Sequence, residues 1–273
     1  WMKFWRKKLS LCGRRWWIAG LILSTHHAWA FSPKLLRFEP DGAMRGSDVE
    51  LKCHGERLQN AVELLSELPG LELRGVLRAE PQLAVLNVHV SADAPLGTRG
   101  LRLRCHDGIS EMRLFSIGQF PCVTEIEPNQ SAEQAQALEL NQTVTGVILN
   151  EDVDWFRVHL QAGQVLHAEI EALRLGQTLF DAALAIVDAR GFVLAVADDS
   201  ALLRTDCDVA ITAPAEGDYW IKVRESAYEG NENCRYRLHV TSALRPTIVF
   251  PLAAAAGQVC LLYTSDAADE EDS

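Results

Sequence analysis

Signatures of catalysis are what this sequence lacks. It contains no G-x-S-x-G, no H-E-x-x-H, no phosphate-binding P-loop and no G-x-G-x-x-G. No C-x-x-C is present, which leaves zinc and dithiol redox chemistry without support. Carboxylates are plentiful, but nothing singles out a pair of them for glycoside cleavage. Basic charge is scarce: 26 Lys and Arg stand against 37 Asp and Glu, a net charge of −11. A phosphate backbone needs clustered cations, so nucleic acid is excluded as a partner. Long apolar runs are also missing. The one near the start, residues 16–24, is interrupted by Thr25, His26 and His27 and is too short to span about 30 Å of hydrocarbon.

What is present begins with the first 30 residues. They hold six basic side chains (Lys3, Arg6, Lys7, Lys8, Arg14 and Arg15) and no acidic one, leaving −17 on the remainder. A basic start, an apolar stretch and Ala28-Trp29-Ala30 form a signal peptide cleaved before Phe31; the alternative is a membrane anchor. The protein is therefore expected to be exported, to the periplasm, cell surface or medium, with no membrane span after cleavage. Trp1 before Met2 suggests an open-ended reading frame that truly starts at Met2.

From residue 31 to about 120 the apolar pattern has period two. Val49, Leu51 and Cys53 alternate with Glu50 and Lys52; Leu86, Val88 and Val90 alternate with Asn87 and His89; Leu101, Leu103 and Cys105 alternate with Arg102 and Arg104. Such segments are strands with one wet and one buried face. Turn residues separate them at Pro40-Asp41-Gly42, Pro69-Gly70, Ala94-Pro95-Leu96-Gly97 and His106-Asp107-Gly108. Short strands at this spacing predict a β-sandwich. Residues 58–68 fit either a strand or an amphipathic helix. A second period-two region runs from 121 to about 243, through Phe156, Val158 and Leu160, then Tyr219, Ile221 and Val223, then Tyr236, Leu238 and Val240. Only residues 132–140 look helical there.

Seven cysteines are present. Export permits the bridges Cys53–Cys105 and Cys207–Cys234, worth roughly 3–4 kcal/mol each; buried free thiols are the alternative. The histidines at 54, 89, 106, 159, 167 and 239 are scattered, mostly at wet strand positions or turns. Beyond 243, Pro251-x-x-Ala254-x-x-Gly257 repeats Pro40-x-x-Ala43-x-x-Gly46, with Phe250 matching Phe38. Residues 244–259 thus read as the start of a second copy of the first module. Residues 260–273 break every preceding pattern and read as a non-native or disordered acidic tail.

The second module carries an ordered series of motifs: Glu125-Ile126-Glu127-Pro128-Asn129, Gly146-Val147-Ile148, Asp152-Val153-Asp154-Trp155-Phe156, Asp188-Ala189-Arg190-Gly191, Gly217-Asp218-Tyr219-Trp220 and Tyr236-x-Leu238. In this it resembles the bacterial pre-peptidase C-terminal (PPC) domain family. The resemblance implies a jelly-roll-like β-sandwich. The first module, through residues 40–46, 49–55, Pro69-Gly70, 93–97 and Phe120-Pro121, is similar to immunoglobulin-like repeats of planctomycete-type exported proteins. The fold expected is all-β: two sandwich modules after a signal peptide.

The PPC resemblance also implies a calcium site at the module's entry. The matching positions are Glu125, Glu127, Asn129, Asp152 and Asp154. Ca²⁺ takes six to eight oxygen ligands, and alternate residues of an extended segment point to one side. Otherwise Glu125 and Glu127 belong to a solvated linker and the aspartates to a turn. Asp198, Asp199, Asp206 and Asp208 form a second acidic group, a weaker cation candidate or a solvated loop. Trp155, Trp220 and Tyr228 are candidate ligand contacts, or packing against a neighbouring domain. These features predict a non-catalytic exported protein for adhesion, scaffolding or substrate targeting. Its expected partner is an extracellular polymer or a neighbouring domain of the same protein. The alternative is the accessory region of a larger secreted peptidase or other hydrolase.

Overall fold

The computed structural model describes residues 32–264, except 201, 202, 204, 244, 245 and 252. The expected leader and residues 265–273 lie outside the described residues. Among the described residues everything regular is strand apart from one 3₁₀ turn, Leu173–Leu175. Among the described residues no helix is long and apolar enough to cross a membrane.

Nine strands build the first sandwich: β1 (Lys34–Glu39), β2 (Gly42–Met44), β3 (Asp48–Glu56), β4 (Ala61–Ser66), β5 (Leu71–Ala79), β6 (Leu83–Val90), β7 (Gly97–Cys105), β8 (Gly108–Ile109) and β9 (Arg113–Gly118). One sheet runs β1-β3-β6-β5 and the other β2-β9-β7-β4, with β8 beside β7. The first order is the A-B-E-D sheet of an immunoglobulin-like sandwich. Alternate residues meet between the sheets: Leu51 and Cys53 of β3, Leu86 and Val88 of β6, Leu101, Leu103 and Cys105 of β7, around Phe38 and Phe115. The ambiguous segment 58–68 supplies β4, paired antiparallel with β7.

Ten strands build the second: β10 (Cys122–Thr124), β11 (Gln136–Leu138), β12 (Gln142–Val147), β13 (Val153–Leu160), β14 (Val165–Glu171), β15 (Ala182–Val187), β16 (Val193–Ala197), β17 (Asp208–Thr212), β18 (Gly217–Glu225) and β19 (Arg235–Thr241). The sheets run β10-β12-β19-β14-β17 and β11-β13-β18-β15-β16. Phe156, Val158, Ile170, Leu184, Ile221, Tyr236 and Leu238 fill the space between them. On edge strand β16 the core side is carried by Ala195 and Ala197, while Val193 and Val196 face out.

The helix expected at 132–140 is not formed. Residues 131–134 make a turn, closed by the Gln134 N–H on the Ser131 carbonyl. The chain then pairs parallel to β13 as β11, placing Leu138 in the core. The Gln136 amide holds this edge, accepting from the Ile126 N–H and donating to the Thr124 carbonyl. Tertiary pairing overrides helix propensity in so short a segment.

Of the two readings of the cysteines the structure has the free thiols: Cys53, Cys105, Cys207 and Cys234 are unbridged and buried. Each packs as a small apolar group in its core. Burial pushes the Cys53 and Cys207 thiols up to about 12, so both stay protonated at neutral pH. His167 is buried and paired with Asp208 at 3.0 Å.

Past the second sandwich, β20 (Pro246–Phe250) pairs antiparallel with β21 (Leu261–Thr264), so the opening of the presumed tail is a strand. Gly257 takes a left-handed φ of +87°, close to the +77° of Gly46.

Candidate cation site

The site lies at the entry to the second sandwich, where the chain leaves β10 and crosses to β13. Three carboxylates, Glu125, Glu127 and Asp154, bring ligand oxygens within 4.8 Å of one another. Asp154 is fully buried, one residue into β13. Glu125 follows β10 directly, and Glu127 is at the exposed rim. Period two makes this possible: 125 and 127 share a side of an extended segment, as do 152 and 154.

Gly146 of β12 makes room for the cluster. A Cβ there would stand 2.2 Å from Glu125 Oε2 and 2.3 Å from Tyr236 Cζ. The glycine thus lets a carboxylate and a phenol occupy the space over a strand. Val147 N–H donates to Glu125 Oε1 at 2.8 Å, anchoring it to the sheet. Tyr236, fully buried on β19, reaches both Glu125 Oε2 (3.0 Å) and Asp154 Oδ2.

A phenol has one proton to donate. For both contacts to be hydrogen bonds, one carboxyl must itself carry a proton. Burial, and next the charge of Glu125, push Asp154 up to about 9. Glu125 is raised too, chiefly by burial, but its backbone donor favours the ionised form. The consistent arrangement is protonated Asp154 donating to Tyr236, which donates to ionised Glu125. Burial and the two carboxyls raise Tyr236 well above the ordinary tyrosine value. Burial, then the charge of Asp152, raises Glu127.

The other two expected ligands border this cluster. Asp152 accepts from the Leu149 N–H at 3.2 Å through Oδ2, while its buried Oδ1 has no partner. Asn129 is fully buried, its carbonyl accepts the Trp155 N–H at 2.9 Å, and neither side-chain amide atom is bonded. Asp154 Oδ1 is also unpartnered. Unsatisfied buried oxygens cost about 1–3 kcal/mol each. Three of them around a carboxylate cluster are the chemistry of a hard-cation cage, so the residues fit calcium. Tyr236 and Gly146, which shape the cluster, were visible in the sequence only as motif positions.

The second acidic group does not converge on a cation. Asp206 is fully buried and caps the 3₁₀ turn, accepting from Ala172 N–H (3.0 Å), Leu173 N–H (2.7 Å) and Arg174 Nε (2.6 Å). Asp208 pairs with His167.

The aromatic candidates divide. Trp220 donates its indole N–H to the Ala132 carbonyl at 3.1 Å and packs within its own module. Trp155 is half-buried, with the Lys222 ammonium 4.7 Å from its ring centre. Tyr228 is exposed, with the Arg224 guanidinium stacked at 4.6 Å. Beside Tyr228 lies a hollow of about 260 Å³ lined by Ala183, Val193, Val196, Lys222 and Arg224.

No protein-family model and no curated protein matches the chain. Among solved structures it is similar to the pre-peptidase C-terminal domain of a Bacillus anthracis collagenase, at 14% identity and a TM-score of 0.30, over 43% of this chain and 100% of that one. It is similar to a Bacteroides ovatus SGBP-B seen with a mixed-linkage heptasaccharide, at 9% identity and a TM-score of 0.27, over 71% and 74% of the two chains. The Yersinia pseudotuberculosis adhesin InvE aligns over 77% of this chain and 58% of its own, at 10% identity and a TM-score of 0.25.

Proposed function

We propose that this chain is a non-catalytic, exported binding protein whose second sandwich holds Ca²⁺ through Glu125, Glu127, Asn129, Asp152 and Asp154. The observation that carries the cation is the set of unpartnered buried oxygens beside three converging carboxylates. The ion supplies positive charge and fills oxygen valences; it takes part in no reaction. Its role is to fix the entry segment 125–129 against β13. Titration calorimetry of the purified chain is expected to find one Ca²⁺ per molecule, with Kd of roughly 10⁻⁴–10⁻³ M, the extracellular range. No heat, together with an unchanged melting midpoint, would sink the assignment.

The binding face in this reading is the outer surface of β13, β18, β15 and β16. It presents Trp155 with Lys222, Tyr228 with Arg224, and exposed Val193 and Val196. Aromatic faces with flanking donors suit a polysaccharide, whose sugar rings stack on them. The SGBP-B likeness agrees with that class of partner without adding weight. Affinity electrophoresis through soluble glucans is the test. Trp155→Ala and Tyr228→Ala should each lose most retardation while Trp220→Phe keeps it. Equal retardation of all three moves the binding face elsewhere. The Pro251 copy, with its left-handed Gly257, is read as the opening of a further immunoglobulin-like module.

A further inference from the structure

The outer face of the second sandwich's other sheet carries polar side chains withdrawn from water at its centre. Arg237 of β19 and Thr143 of β12 are almost fully buried there, with Glu171 of β14 close behind. What covers Arg237 and Glu171 is the first sandwich. Asp41, at the corner before β2, is buried and accepts from Arg235 Nε at 2.9 Å and from the Gln177 amide. Ser116 of β9 donates to Glu171 Oε1 at 3.3 Å, while Glu171 Oε2 takes Arg237 Nη1 at 2.7 Å. Gly42 brings the β2 backbone down onto Arg237: a Cβ would stand 2.7 Å from its Cζ and 2.4 Å from the Ser116 carbonyl oxygen. Two ion pairs removed from water are screened little by salt and fail badly when one partner goes.

We propose that Asp41-Gly42 is a docking key that locks the first sandwich onto the β19 face of the second, so that the two unfold and move as one body. The junction, residues 119–121, is then no hinge. The key is specific to this copy. Where Pro40 is followed by Asp41 and Gly42, Pro251 is followed by Leu252 and Ala253. The later copy has neither the carboxylate for Arg235 nor the bare backbone that Arg237 needs. This comparison rests on the repeat reading; the lock itself does not.

The test is scanning calorimetry and small-angle scattering on the full chain, leader removed, with Asp41→Asn, Arg235→Gln and the two combined. The wild type is expected to melt in one transition. Each single variant should split it into two transitions at least about 5 °C apart and enlarge the radius of gyration. The double variant should be no worse than either single, because both break one contact. Asp41→Leu with Gly42→Ala, which copies the later repeat, should split the melt the same way; if it fails to fold, the Asn and Gln variants still decide. Two transitions in the wild type, or single variants that keep one transition and unchanged scattering, would overturn the lock. A split in the Asn and Gln variants but not in the Leu-Ala one would keep the lock and remove the copy-specific key.

Discussion

Replacing Asp154 by Asn separates the buried proton from the buried cation. Without metal, Asp154 is held near 9 in the fold and titrates near 3.9 when unfolded. A raised native value means the folded chain keeps a proton that the unfolded chain releases. The contribution of this proton is therefore fully present below about pH 4 and is lost as pH rises toward 9, by up to about 1.4 kcal/mol per unit. Glu39 and Glu171, both lowered to about 2, have the opposite sense, but their contribution is complete by pH 5. His54 is lowered chiefly by burial and gains with rising pH, equally in both proteins. Asn never ionises. Between pH 5 and pH 8, in chelator, the stability difference should thus move toward the Asn variant by at most about 4 kcal/mol. That is roughly 10 °C in melting midpoint for a protein of this size. Calcium should narrow the gap at pH 8. At ten times Kd the wild type gains about 1.4 kcal/mol, and the variant, lacking a charged ligand, gains nothing. Melts in chelator and in calcium at the two pH values read all four numbers. A difference that does not change with pH would refute the protonated carboxyl. An equal calcium gain in the variant would refute its place in the cage.

Other expectations follow from single contacts. Gly146→Ala forces a methyl into Glu125 and Tyr236 and should destabilise by about 2 kcal/mol or more, whereas Gly75→Ala, with open space around it, should stay within about 0.5 kcal/mol by chemical denaturation. Asp206→Ala strips a buried cap from three backbone N–H groups and the Arg174 side chain, with an expected loss of about 3–5 kcal/mol measured the same way.

Much of the β architecture was legible before any coordinates. Period two in segments such as Leu101-Leu103-Cys105 and Tyr219-Ile221-Val223 encodes a face, and a face needs only local geometry to predict. The calcium candidates came instead from the motif resemblance; period two adds only that 125 with 127, and 152 with 154, share a side. The failures were those of short or ambiguous windows. Residues 132–140 have helical composition, yet a parallel partner 20 residues later takes Gln136–Leu138 as strand. Cysteine spacing cannot say whether two buried sulfurs will bond.

Sequence by itself determined most of the long strands, the buried face of each of those, and that acidic residues crowd the second module's entry. Tertiary structure alone decided that Tyr236 would bridge Glu125 and Asp154, that Asp206 would cap a turn rather than bind a cation, and that Arg235 and Arg237 would meet Asp41 and Gly42 nearly 200 positions away. The division is physical. Periodicity records how a residue sits against its own backbone, whereas a charge or a missing Cβ takes its meaning from the atoms that another strand brings opposite it.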